Sequence, residues 1–243
     1  MEKVEKMVGA LLIIGATGDV GQGIVRAART QGRMVIAAGR SAQKLDRLFG
    51  AAQAGIWTCV GDVASEQGVW ELWNAASELA GPIESVVISV NAPNRAGPLS
   101  QWSGEDMSSL LDANLLTHFN AAKVMLPLLP AHGMLVGIGG GAADWVFPGM
   151  APLSIVQAGL RMLYRGLARE RTDGAQIREL MIVSMVNGKS KRDRAPPEWV
   201  TDEDVGRHVC AILAAPDRFP GPILQLKSRG QVGRPDQLSA GGY

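Results

Sequence analysis

Three glycines, Gly15, Gly18 and Gly21, stand at G-x-x-G-x-x-G spacing inside V-G-A-L-L-I-I-G-A-T-G-D-V-G-Q-G, residues 8–23. A glycine turn lets a pyrophosphate approach the backbone, and a helix opening directly behind it aims free N–H groups and the positive end of its dipole at the same place. The candidate cofactor contacts here are Gly15, Thr17, Gly18, Asp19, Val20 and Gly21. Such spacing also serves tight turns that bind nothing. Its position at the first strand-to-helix junction points instead to a dinucleotide. A second candidate lies in A-A-G-R-S, where Arg40 and Ser41 follow an apolar run. A carboxylate at that place would bond ribose hydroxyls and repel a 2′-phosphate. An arginine pairs with the phosphate in bidentate fashion, and a serine adds a donor. NADP is therefore expected in preference to NAD; a solvated arginine opening a helix is the alternative.

Other side chains could move protons. Asp144 sits in G-G-G-A-A-D-W-V-F-P. A carboxyl beside Trp145 and Phe147 could be held neutral and act as an acid, though an aspartate in such a loop more often caps a turn. Trp145, Phe147 and Met150 could line an apolar pocket or pack under a loop. His118 is expected to pack at a surface or interface, and Ser154 to be structural. The two cysteines, Cys59 and Cys210, lack metal or redox spacing and read as buried thiols of a reducing compartment.

The elements that must position these groups alternate without a break. Apolar runs at Leu11–Ile14, Met34–Ala38, Gly55–Val60, Ile83–Val90, Met134–Ile138, Ile177–Ser184 and Ile223–Leu226 read as strands. Between them, Asp19–Gln31, Ala42–Phe49, Ser65–Leu79, Gly104–Leu129, Ile155–Glu170 and Asp202–Leu213 read as helices. Continuous apolar strands separated by helices predict an α/β Rossmann-like fold: one doubly wound parallel sheet of about seven strands, helices on both faces, in a single domain. Asn187–Trp199, rich in charge and proline, reads as a long loop.

The 243 residues are 47% hydrophobic and 19% charged, enough for a sizeable core. A net charge of +1 offers no electrostatic surface for nucleic acid or membrane. No apolar stretch approaches a membrane span, and the opening M-E-K-V-E-K-M does not resemble a signal peptide, so a cytoplasmic location is expected.

Taken in order, these features resemble the short-chain dehydrogenase/reductases over nearly the whole chain. The glycine turn matches the spacing of the family's extended and atypical members. Asp62-Val63, after the third strand, matches the aspartate that contacts adenine. Asn91-Ala92 matches half of the N-N-A-G turn, with Val90 and Pro93 in place of the rest. Asn114, in L-D-A-N-L-L-T-H-F-N, matches the helix asparagine of the catalytic tetrad. The resemblance also implies a homodimer or homotetramer through Gly104–Leu129 and Ile155–Glu170.

The other tetrad positions depart from the family. Its serine falls on Gly140, its tyrosine on Leu153 and its lysine on Gln157, in P-L-S-I-V-Q-A-G-L. Tyr164 and Tyr243 have no lysine four residues on. In the family the tyrosine exchanges the carbonyl proton with a pKa lowered by the lysine ammonium. Leu153 has no proton to give. The resemblance thus leaves three readings. The chain is an NADP-dependent oxidoreductase with unusual hydride-transfer chemistry on an unidentified small molecule, or a silent subunit partnering an active relative, or an NADP-binding sensor.

Overall fold

The computed structural model describes residues 9–50, 54–92, 95–171, 173–191 and 193–235. The first eight residues, Pro93 and Tyr243 lie outside them. Seven strands form one sheet: β1 Ala10–Ile14, β2 Val35–Gly39, β3 Ile56–Val60, β4 Ile83–Ile88, β5 Met134–Gly140, β6 Gln176–Ile182 and, closing it, β9 Ile223–Leu226. A separate pair, β7 Val186–Asn187 and β8 Val200–Thr201, lies within the long segment after β6. The sheet order is β3-β2-β1-β4-β5-β6-β9, every pairing parallel.

Alternate residues of each strand enter opposite cores. Leu12, Ile14, Val86, Ile88 and Leu135 pack on one face beneath α3 (Glu66–Ala80), α5 (Thr117–Met125) and α6 (Ala151–Glu170). Leu11, Ile13, Val35, Val87 and Leu180 pack on the other beneath α1 (Asp19–Thr30) and α7 (Asp202–Ala214). Between β2 and β3 lies α2 (Ala42–Phe49), and α4 (Gly104–Leu111) precedes α5. Burial on both faces is why the strands read as unbroken apolar runs. Helices α1 and α7 cross in backbone contact, since a Cβ at Gly206 would fall 2.3 Å from the Gly23 carbonyl oxygen.

Two boundaries differ from expectation in ways that matter for the site. The helix expected over Gly104–Leu129 is α4, a π-helical turn at Asp112–Leu116, α5 and a short 3₁₀ turn. Inside it, Asn114 Nδ2 donates to the Leu110 carbonyl (2.9 Å) and Thr117 Oγ1 to the Asn114 carbonyl (2.8 Å), so side chains take carbonyls from the helical ladder where the turn widens. Helix α6 begins at Ala151 rather than Ile155, with Pro152 in its first turn, where a missing N–H costs nothing. Leu153 and Ser154 are therefore helical.

Candidate active site

The carboxyl ends of the first four strands of the chain open onto a cavity of about 670 Å³. It lies where the strand order reverses between β1 and β4, the crevice in which doubly wound sheets bind ligands. Gly15, Thr17 and Gly18 line it from the turn after β1, Arg40 from the end of β2, Asp62 and Val63 from the end of β3, and Asn91 and Ala92 from the end of β4. All eight are among the cofactor contacts expected from the sequence.

Each glycine of the turn has a different reason to be there. Gly15 has φ of 82°, and a Cβ on it would come within 2.3 Å of the Ser89 carbonyl oxygen, so the turn can press against β4 only as glycine. A Cβ at Gly21 would strike the Gly15 oxygen at 2.2 Å, so this glycine lets α1 seat on the turn. At Gly18 a Cβ would meet only that oxygen, at 3.4 Å. Its bare backbone faces the cavity, at the N-cap of α1. The N–H groups of the first turn have no partner inside the helix. The residues present fit a pyrophosphate here.

Four of the expected contacts do not line the cavity: Asp19, Val20, Gly21 and Ser41. Ser41 caps α2, its hydroxyl oxygen accepting from the Lys44 N–H at 3.3 Å. The Asp19 carboxylate turns to the segment after β6, accepting from the Ser190 N–H at 3.3 Å and from its hydroxyl. Arg40 is exposed at the cavity rim and makes no ion pair among the described residues. Asp62 Oδ1 accepts from the Ala64 N–H at 3.0 Å, which fixes the turn after β3.

The opposite wall was missed by sequence reasoning. Ser109, Asp112, Ala113, Leu116 and Thr117 line the cavity from α4, the π turn and α5. Asn114, on the same turn, is fully buried and holds the wall from behind, its Oδ1 accepting from the Ala92 N–H at 2.8 Å. The signal for this wall was Asn114 itself, whose helix had to face the cavity.

Gly140, Leu153 and Gln157, the residues expected at the other tetrad positions, lie outside the cavity, at the end of β5 and in the first turns of α6. The Gly140 N–H donates to Gln157 Oε1 at 2.6 Å, and Gln157 is buried. Leu153, half-buried, stands one turn before Gln157 on the same helix face. Ser154 Oγ donates to the Trp145 carbonyl at 2.9 Å, a structural role as expected.

Three expectations are corrected here. Asp144 is not enclosed by aromatic rings: Trp145 is 64% and Phe147 61% exposed, and the carboxylate pairs with Arg161 on α6. Those rings are largely solvent-exposed on an irregular loop, so they form no apolar pocket around the acid. His118 is not at a surface; it is fully buried. Burial drives its pKa down to about 4, with a hydrogen bond to the Val90 carbonyl opposing the shift.

A further group gave no sequence signal beyond an acid in an apolar run. Glu179, on β6, is fully buried with neither carboxylate oxygen hydrogen-bonded among the described residues. Desolvation lifts its pKa to about 8, against the pull of Arg161 and Arg165. Its Oε1 stands 2.0 Å from where a Gly139 Cβ would be, so the glycine makes room for the acid.

Comparisons with known proteins agree with this geometry. The family model described as enoyl-(acyl carrier protein) reductase matches residues 15–185. A short-chain dehydrogenase/reductase of Pestalotiopsis fici is 28% identical over 163 residues, 63% of this chain and 66% of that protein. A serine 3-dehydrogenase of Agrobacterium fabrum is 26% identical over 162 residues, 66% of this chain and 65% of that protein. The chain thus matches just under two thirds of the length of these two relatives. The closed form of a serine dehydrogenase complexed with NADP+ superposes with a TM-score of 0.79 at 21% identity, covering 89% of this chain and 94% of that one.

Proposed function

The chain belongs to the short-chain dehydrogenase/reductase family, and from that premise we propose that it is an NADP(H)-binding oxidoreductase that works without the family's tyrosine acid. One observation carries the cofactor assignment: the cavity is walled by the ends of four strands, with a glycine turn at one and Arg40 at the next. Gly15 and Gly18 would admit the pyrophosphate, Asp62 and Val63 the adenine, and Arg40 with Ser41 the 2′-phosphate. When bound, the dinucleotide supplies a hydride.

The chain's own residues limit what accepts that hydride. Leu153 offers neither proton nor dipole at the tyrosine position, and Gln157 carries no charge to lower a phenol's pKa. General acid assistance is worth roughly 10²–10⁴-fold, so simple ketones are poor acceptors here. An activated C=C or C=N bond asks less of an acid and is the favoured substrate class. Because the relatives named for serine oxidation perform alcohol chemistry, their substrate is not carried over.

The Gly140–Gln157 hydrogen bond favours a second reading. It ties the Gly140 N–H to the Gln157 oxygen, and Asn114 is itself engaged with Ala92 and Leu110, as in a subunit that does not turn a dinucleotide over. Titration with NADPH and NADH by fluorescence, followed by a screen of activated C=C and C=N acceptors at 340 nm, separates the readings. Binding with turnover supports the oxidoreductase, binding alone the silent subunit or sensor, and absence of binding refutes the oxidoreductase and the sensor.

A further inference from the structure

Behind the cavity, two buried polar side chains join three elements. The hydroxyl of Tyr164, on α6, lies 2.9 Å from His118 Nδ1 on α5, and His118 Nε2 lies 3.2 Å from the Val90 carbonyl oxygen after β4. A carbonyl only accepts, so Nε2 carries the ring proton and Nδ1 accepts from the tyrosine hydroxyl. Both side chains are fully buried and neither lines the cavity. Val90, by contrast, lines it together with Asn91 and Ala92.

We propose that His118 and Tyr164 are positioning residues that brace the Val90–Ala92 turn and so set the shape of the dinucleotide wall. The turn is held at both ends by residues four apart on one helix: Asn114 receives the Ala92 N–H, and His118 donates to the Val90 carbonyl. Tyr164 fixes the imidazole in the donating orientation and anchors it to α6. The sequence makes room for this arrangement, since a Cβ on Gly137 would fall 2.1 Å from the tyrosine hydroxyl. A buried polar pair whose members satisfy each other specifies one geometry where an apolar pair would only fill space. The neutral state that Nδ1 needs is secured by burial, which holds the imidazole uncharged at neutral pH.

The consequence for affinity rests on the dinucleotide reading; the brace itself does not. The test therefore pairs amide hydrogen exchange across residues 88–92 of the unliganded protein with NADPH titration, for Tyr164→Phe, Gly137→Ala, His118→Leu and His118→Gln. Tyr164→Phe, Gly137→Ala and His118→Leu are expected to speed exchange at Ala92 at least tenfold and to weaken NADPH three- to tenfold. His118→Gln should restore both, because its amide can donate to Val90 and accept from Tyr164. Unchanged exchange in Tyr164→Phe and His118→Leu, with only a lowered melting temperature, would overturn the brace and leave core packing. If the unmodified protein binds neither NADPH nor NADH, the cofactor reading falls while the exchange comparison still decides the brace.

Discussion

The Gly140 N–H and Gln157 Oε1 are hydrogen-bonded across 2.6 Å. With Gly140 and Gln157 at the family's serine and lysine positions, as we propose, this bond joins the two through groups that cannot move a proton. The expected outcome is no turnover of common ketones at ordinary enzyme rates, on the order of 1–10³ per second. Catalytic groups that act as a unit are not restored singly, so Gln157→Lys alone should do nothing, and it also removes the acceptor for Gly140. The triple change Gly140→Ser, Leu153→Tyr and Gln157→Lys should create weak carbonyl reductase activity, read as NADPH oxidation at 340 nm. A serine fits, because a Cβ at Gly140 makes only ordinary contact with Gln157 Oε1 at 3.5 Å. Ordinary turnover by the unmodified protein would show that another residue supplies the proton, and Asp112→Asn, at the carboxyl that lines the cavity, would be the first change to try.

Arg40 is expected to decide between the two dinucleotides. A charge-assisted contact with the 2′-phosphate is worth about 1.5–3 kcal/mol. Arg40→Asp should therefore weaken NADPH at least tenfold, about 1.4 kcal/mol, and leave NADH within twofold. Calorimetric titration of both nucleotides reads this directly, and an equal loss for the two would exclude a role for Arg40 in the choice.

The sheet and the glycine turn were legible because their signals are local: apolar runs, three glycines, a strand followed by a helix. The near wall of the cavity was legible for the same reason. What escaped depends on partners remote in sequence. His118 shares a helical face with Asn114, but its burial is set by Tyr164, 46 residues on. Asp19 reads as part of a phosphate turn, yet its carboxylate is held by Ser190, 171 residues away. The next helix reads as starting at Ile155, yet it begins at Ala151 with Pro152 inside its first turn. Asp144 was set among aromatic neighbours by sequence proximity, yet both rings are exposed and the carboxylate pairs with Arg161.

Glu179 should make stability fall with rising pH. Its folded pKa of about 8 lies above the ordinary 4.5 of a glutamate, so the folded state retains a proton that the unfolded chain has lost. Its contribution is fully present below about pH 4.5, declines above it by up to about 1.4 kcal/mol per pH unit, and levels off above pH 8. Glu179→Gln removes this titration. Denaturant midpoints from pH 5 to 9 should fall more steeply for the unmodified protein than for the variant across pH 5–8. Parallel curves would place the carboxyl's ionisation elsewhere.

Asp19 is expected to oppose the ligand that its own helix invites. Its carboxylate sits in the first turn of α1, where a pyrophosphate would meet the free N–H groups, and it ties down Ser190. A helix N-terminus favours one negative charge, and a second one close by adds repulsion. Asp19→Asn keeps an oxygen for Ser190 but drops the charge. It should tighten NADPH by about three- to tenfold, within the roughly 0.3–2 kcal/mol that charges at helix ends are worth, with the gain shrinking as salt rises. Asp19→Ala should tighten NADPH similarly and also release Ser190, seen as faster protease cleavage between residues 188 and 199. If Asp19→Asn instead weakens NADPH, the carboxylate is itself a ligand contact, and the segment after β6 must move aside for the cofactor to reach it.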